Sequence, residues 1–455
     1  MTNEMFHYDE DMANAVFEYC RKRLMADPVP LDFSGDKTRL DAALEGLIAR
    51  EGNDARKVLE IFADVLAPAV ISCDSPRFLA FIPAAPTRAS MLFDMVVSCS
   101  SLQGTSWLEA SGAIAAENQA IRVLADLAGL PEGAGGVFVS GGSAANLSAL
   151  AVARDSAPGH DPVNRDNRVK RGRPAVAVSD QVHASVSNTL RLLDMDALVV
   201  STEDHRLDGT SLARALSSSD IAAEVVAVVA TAGTTNAGIV DDLASIAQVA
   251  REHNLWFHVD AAYGGAALFA PSARALFEGV QRADSLVIDP HKWLFAPFDC
   301  AGLIYRQPEL ARRVHSQKAS YLDPIHSHLD WNPSDYAYQL TRRARGLALW
   351  FSLAVHGTDT YSRAVETVLE TTRLAASRIA ELDHLELVRE PGLSIVLFRR
   401  KGWGAGDYDR WSTQLLRSQI GFVTPTTWED ETVARLAFLN PETTEIYFFR
   451  DFLSD

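Results

Sequence analysis

The chain has 455 residues, 47% of them hydrophobic and 22% charged, an ordinary globular composition long enough for two or three domains. A net charge of −17 and a pI of about 5.2 disfavour nucleic acid and anionic membranes as partners. The acidic start lacks the features of a secretory signal, no apolar run is long enough to span a membrane, and Cys20, Cys73, Cys99 and Cys300 form no Cys-x-x-Cys pair; a cytoplasmic protein without disulfides or a metal centre is expected.

Residues 1–85 are predicted to be mostly helical. Ala13 to Met25 and Lys57 to Val70 carry helix formers at apolar spacing, and Asp36 is placed to cap a helix running on through Leu44 and Leu47. Such helices need a surface to cover, either the rest of the chain or a second subunit. From about 110 to 300 the pattern becomes strand, loop and helix in turn. Apolar runs stand at Gly136 to Val139, Ala175 to Val178, Leu198 to Val200, Val225 to Thr231, Leu255 to Val259 and Leu286 to Ile288. Helical stretches such as Ala144 to Arg154 and Asp242 to His253 separate several of them, the signature of a mostly parallel sheet with helices on both faces. Arg154 to Arg173 reads as an exposed loop. A helix from Gly346 to about His356, another from Asp359 to Leu382 and a strand at Leu393 to Phe398 suggest a small α+β unit. The expected division is 1–85 as a helical segment, 86–345 as the large domain and 346–455 as the small one.

Ligands of such sheets bind beyond the carboxyl ends of the strands, where the polar motifs cluster. Ser140-Gly-Gly-Ser143 opens a helix whose free amides could meet a phosphate. His183 could lie flat on a pyridine ring or merely cap the helix after it. Ala230-Thr-Ala-Gly-Thr-Thr235 brings hydroxyls to the same edge. Asp241 could brace the site, though capping the helix from Asp242 is slightly favoured. Asp260 ends the strand Trp256-Phe-His-Val-Asp260, and Lys292 follows the strand that stops at Asp289-Pro290. A lysine at a strand end suits a Schiff base, and a carboxylate nearby suits the ring nitrogen of pyridoxal phosphate (PLP). Read singly, Asp260 and Lys292 could be ordinary strand ends paired to each other.

In order, Gly-Gly-Ser, His, Gly-Thr-Thr, Asp-x-Ala and His-Lys resemble the fold-type I PLP enzymes. More closely, the set resembles the group II amino-acid decarboxylases, which act on aromatic amino acids, glutamate or diaminobutyrate. The resemblance is strong from about Pro76 to Phe351 and rests most on His258-Val-Asp-Ala-Ala-Tyr263 and Asp289-Pro-His-Lys-Trp-Leu-Phe-Ala-Pro-Phe-Asp-Cys300, the second nearest the aromatic branch. It implies an α/β fold with a mostly parallel, seven-stranded type of sheet, and a homodimer whose N-terminal helices cross over. It implies that Lys292 holds the cofactor's aldehyde carbon and that Asp260 pairs with the ring nitrogen. His183 and Ala262 would cover the two ring faces, Gly142, Ser143 and His291 would surround the phosphate, and Thr235 would sit near the ring edge. Tyr321, in a loop beyond the lysine, would return a proton to the substrate's α-carbon; relatives with phenylalanine there release an aldehyde. Phe81, Pro83, Gln103 and Thr105 would line the side-chain pocket, favouring an aromatic or bulky L-amino acid and leaving acidic and diamino acids open. Asp289 departs from the Asn common in the family, and it is expected to lie outside the phosphate shell or to turn away. Three rivals remain: an aldehyde synthase of the same fold, an aminotransferase using Arg342, Arg343 or Arg345 to grip a carboxylate, and a non-catalytic scaffold.

Overall fold

The computed structural model describes residues 4–82, 85–158, 172–317, 319–326 and 331–443. The central sheet has seven strands: β1 Gly135–Val139, β2 Ala175–Ser179, β3 Asp196–Val200, β4 Val225–Thr231, β5 Trp256–Asp260, β6 Ser285–Ile288 and β7 Ala301–Tyr305. Their order is β1-β7-β6-β5-β4-β2-β3. Neighbours from β6 through to β3 run parallel, while β7 runs antiparallel to both β6 and β1. The six predicted runs are all strands. The seventh strand, β7, is not among them.

Alternation along each strand divides the apolar residues between two cores. Val228, Phe257, Val259, Leu286 and Ile288 face one, shared with the helices Trp107–Leu127, Gly209–Ser218 and Leu243–Glu252. Ala227, Val229, Val287 and Leu303 face the other, under Gly142–Ser156 and Ala184–Leu192. Cover on both faces explains why β4 reads Val-Val-Ala-Val-Val-Ala with no polar alternation.

The C-terminal part forms a four-stranded antiparallel sheet, order β10-β11-β9-β8, from β8 Leu385–Leu387, β9 Ile395–Arg400, β10 Thr426–Trp428 and β11 Glu431–Ala437. Arg435 on β11 ties it to the large sheet's edge by donating to the carbonyls of Thr235 at 2.5 Å and Phe81 at 2.9 Å. Near the N-terminus, the helices Glu10–Leu24, Lys37–Leu44 and Ala55–Ile61 bury no residue within this chain. Asp36 does cap the second, accepting from Arg39 N at 3.0 Å.

Asp241 corrects the sequence reading. The helix cap is Asp242, which accepts from Ser245 N at 3.2 Å. Asp241 is buried and accepts the Thr231 N–H at 2.7 Å and the Leu207 N–H at 2.8 Å, holding the end of β4 against the neighbouring loop.

Candidate active site

Five chain segments that leave β1, β2, β4, β5 and β6 at one edge of the sheet enclose a cavity of about 340 Å³. Gly142, Ser143, His183, Thr235, Asp260, Ala262, His291 and Lys292 all line it. These are the eight predicted cofactor-binding positions, drawn from distant parts of the chain. A larger hollow of about 560 Å³, against Trp256, Asp284 and Arg306, contains none of them.

The cavity floor is made by Asp260 at the end of β5. It is 6% exposed, and each of its oxygens is held: Oδ1 accepts from Ala262 N at 3.1 Å and Oδ2 from Asn146 Nδ2 at 2.9 Å. On one wall, Gly142 begins the 15-residue helix to Ser156, so its N–H belongs to the free amides of a helix start. A Cβ at Gly142 would lie 2.9 Å from Asp289 Oδ2 and 3.2 Å from the Ala262 methyl, so only glycine leaves this corner open. Gly233, at φ 113°, has the same character: a Cβ there would fall 2.9 Å from Gly264 Cα, in a backbone region that side chains avoid.

His183 caps the helix after it, one of the two roles the sequence allowed, and also reaches the cavity. Its Nδ1 caps the helix Ala184–Leu192 by accepting from Ser185 N at 3.2 Å, and its ring lines the cavity. His291 Nδ1 accepts from Cys300 N at 2.9 Å, and burial lowers the imidazole's pKa.

Lys292 is not paired with Asp260. Its Nζ lies 3.0 Å from Asp289 Oδ2, and the same oxygen accepts from Gly142 N at 3.1 Å. The expectation that Asp289 turns away is therefore wrong. The turn that follows β6, closed by Lys292 N donating to Asp289 O at 2.9 Å, carries both side chains to the same side.

Other expected residues lie apart from this cavity. Phe81 (60% exposed), Gln103, Thr105 and Tyr321 (73% exposed) do not line it, and Pro83 lies outside the described residues. Gln103 Nε2 donates to Glu109 Oε1 at 2.9 Å, while the buried Thr105 hydroxyl has no protein partner among the described residues. The arginines that kept an aminotransferase in view also face elsewhere. Arg342 pairs with Glu117 at 2.6 Å, Arg343 with Asp94 at 2.8 Å and Arg345 with Asp299.

Asn146, Gln181, Ser185, Thr231 and Tyr263 line the cavity and were not selected from sequence as site residues. Asn146 was findable, since it stands four residues after Gly142 on the same helix face. The lining suits PLP: a lysine for the aldehyde, an acid for the ring nitrogen, an imidazole and a small Ala262 methyl for the ring faces, and helix amides for a phosphate. Two buried polar atoms on the lining, Thr231 Oγ1 and Asp289 Oδ1, have no protein partner among the described residues.

Known proteins agree with this chemistry. The profile of the pyridoxal-dependent decarboxylase conserved domain matches residues 39–401. The aromatic-L-amino-acid decarboxylase of Bacillus atrophaeus is 28% identical over 429 residues, covering 91% of this chain and 88% of the relative. The L-2,4-diaminobutyrate decarboxylase of Rhizobium meliloti (strain 1021) is 31% identical over 383 residues, covering 81% and 75%. In three dimensions the chain resembles the crystal structure of Oryza sativa TDC with PLP and tryptamine, with a TM-score of 0.88, 25% identity and coverage of 96% and 94%.

Proposed function

The chain belongs to the pyridoxal-dependent decarboxylase family, and from that premise we propose that it converts an aromatic or bulky L-amino acid to its amine and CO2. PLP, when bound, supplies an aldehyde that takes up the substrate amine and a ring that accepts the electrons released with CO2. Lys292 is the residue that holds the aldehyde carbon. Asp260 would face the ring nitrogen and stabilise positive charge there. His183 and Ala262 would flank the ring, Gly142, Ser143 and His291 would hold the phosphate, and Thr235 would lie by the ring edge. Tyr321 returns the proton to the α-carbon as a general acid. The single observation that carries the reading is the meeting of Asp260, His183, Ala262 and Lys292 around one cavity.

Tyr321 and Phe81 are exposed and stand off that cavity, so the reading includes a homodimer in which one protomer's loop serves its partner's site. The N-terminal helices support it. They bury nothing within the chain, yet show apolar side chains such as Val16, Phe17 and Val58. The aromatic preference is supported by the Phe78, Phe81 and Phe422 cluster, with ring centroids 5.1–6.4 Å apart. A cytoplasmic location accords with four scattered cysteines that form no Cys-x-x-Cys pair.

The test is a product assay. PLP-loaded protein is offered a panel of aromatic, acidic and diamino L-amino acids, and products are read by mass. An aromatic amine, lighter than its substrate by one CO2, is expected. A diamine would overturn the substrate class. An aldehyde or a keto acid would overturn the reaction.

A further inference from the structure

Asn146 is 1% exposed, on the helix that opens at Gly142. Its Nδ2 lies 2.9 Å from Asp260 Oδ2 and 3.0 Å from Ser185 Oγ. A carboxylate oxygen only accepts, so the amide nitrogen must face Asp260 and the amide oxygen must face away from it. That oxygen is 2.9 Å from His258 Nε2, which places the His258 proton on Nε2. His258 is fully buried, which disfavours its charged form, so Nδ1 is bare. Ser285 Oγ, at 2.7 Å, then donates to Nδ1 while accepting from Trp256 Nε1 at 2.8 Å.

On the other branch, Ser185 Oγ accepts from Asn146 and gives its own hydrogen to His183 Nδ1 at 2.8 Å. The Ser185 N–H also points at that nitrogen, so Nδ1 is the acceptor and the ring N–H lies at Nε2. From Trp256 to His183 each link has one direction, and Asn146 is where the two branches meet. A buried network whose links each have one direction is rigid, because reversing one bond leaves a buried group unpaired.

We propose that Asn146 is a positioning residue that, with His258 and Ser185, fixes the orientation of Asp260 and the tautomer of His183 together. The inference rests on reading Asp260 as the partner of the cofactor's ring nitrogen. Neither Asn146 nor His258 touches the reacting atoms in this scheme; they act through Asp260 and His183.

The test compares the parent with Asn146→Asp and Asn146→Ala, each stripped of cofactor and titrated with PLP by absorbance across pH. At neutral to mildly alkaline pH the Asn146→Asp protein sets one carboxylate against another and is expected to bind about tenfold more weakly or worse, a loss of at least about 1.4 kcal/mol. As the pH falls, the introduced carboxyl takes a proton, donates again to Asp260, and binding recovers relative to the parent. Asn146→Ala weakens binding without that recovery. Parent-like affinity in Asn146→Asp at every pH overturns the proposal, and so does an equal, pH-independent loss in both variants, which would mean packing alone. Asp260→Asn is run in parallel: parent-like binding there would defeat the reading of Asp260. The proposal has its own readout in the histidine tautomers of the cofactor-free protein, seen by nitrogen-15 NMR. His183 protonated on Nε2 in the parent, and losing that preference in Asn146→Ala, is expected; a proton on Nδ1 in the parent overturns it.

Discussion

One carboxylate oxygen, Asp289 Oδ2, lies 3.0 Å from Lys292 Nζ and 3.1 Å from Gly142 N. Asp289 thus neutralises the lysine and covers a helix amide that an incoming phosphate would use. At 2% exposure the contact is little screened by water. Asp289→Asn keeps the shape and removes the like charge. PLP affinity of the cofactor-free protein should rise about tenfold, measured by absorbance titration. Weaker binding would mean that the carboxylate aids cofactor entry.

Lys292→Ala should abolish multiple turnover. When the variant is given PLP and treated with a hydride reductant, mass spectrometry should find no cofactor joined to the protein, whereas the parent gains one per chain. Sustained turnover by the variant would refute the lysine's role.

Tyr321 is exposed and stands off the cavity of its own chain. Tyr321→Phe should shift product from amine towards aldehyde. If Tyr321 serves the partner's site, a mixture of Lys292→Ala and Tyr321→Phe chains regains amine formation, at about a quarter of parent sites when subunits exchange at random. Inactivity of the mixture after proven exchange would place donor and lysine in one chain.

Burial holds His258 at about pKa 4, against 6.5 for the free side chain. The unfolded chain therefore binds the proton first as pH falls. This group's contribution to stability is full above pH 6.5 and is lost as pH drops towards 4. Asp241 has the opposite slope: burial raises it from 3.8 to about 7, so its contribution is full below pH 3.8 and declines as pH rises to 7. The two offset each other in the parent. Denaturant titrations of parent and His258→Gln should converge as pH falls from 6.5 to 4, and parallel curves would contradict a neutral buried imidazole.

Asp241→Asn tests the brace behind β4. An amide can accept only one of the two backbone N–H groups and points its own donors at the other. The cost should be about 1–3 kcal/mol of unfolding free energy, read from the denaturation midpoint. A change within a few tenths of a kcal/mol would show that water replaces the lost acceptor.

The strands of the parallel sheet were legible because burial on both faces leaves uninterrupted apolar runs, as in Val225 to Thr231. The strand β7 was not. Cys300-Ala-Gly-Leu-Ile-Tyr305 is a short, glycine-interrupted apolar run directly after a loop, and it pairs antiparallel with both β6 and β1. The predicted residues that line the cavity were legible because each stands just past a strand. The signal at Asn146, four residues after Gly142 on the same helix face, is a weak one, because a polar residue in a helix is far more often turned to solvent than built into a buried network.

The sequence by itself determined the sheet, the polar ends of its strands and the kinds of side chain gathered there, since these follow from short-range periodicity and chemistry. Only the tertiary structure decided which groups meet. Lys292 pairs with Asp289 rather than Asp260, and Asp260 is held by Asn146, more than a hundred residues away in the chain. A hydrogen bond depends on distance and direction in space, and these are set by the register of β4, β5 and β6 and by the turn that folds Lys292 back over Asp289.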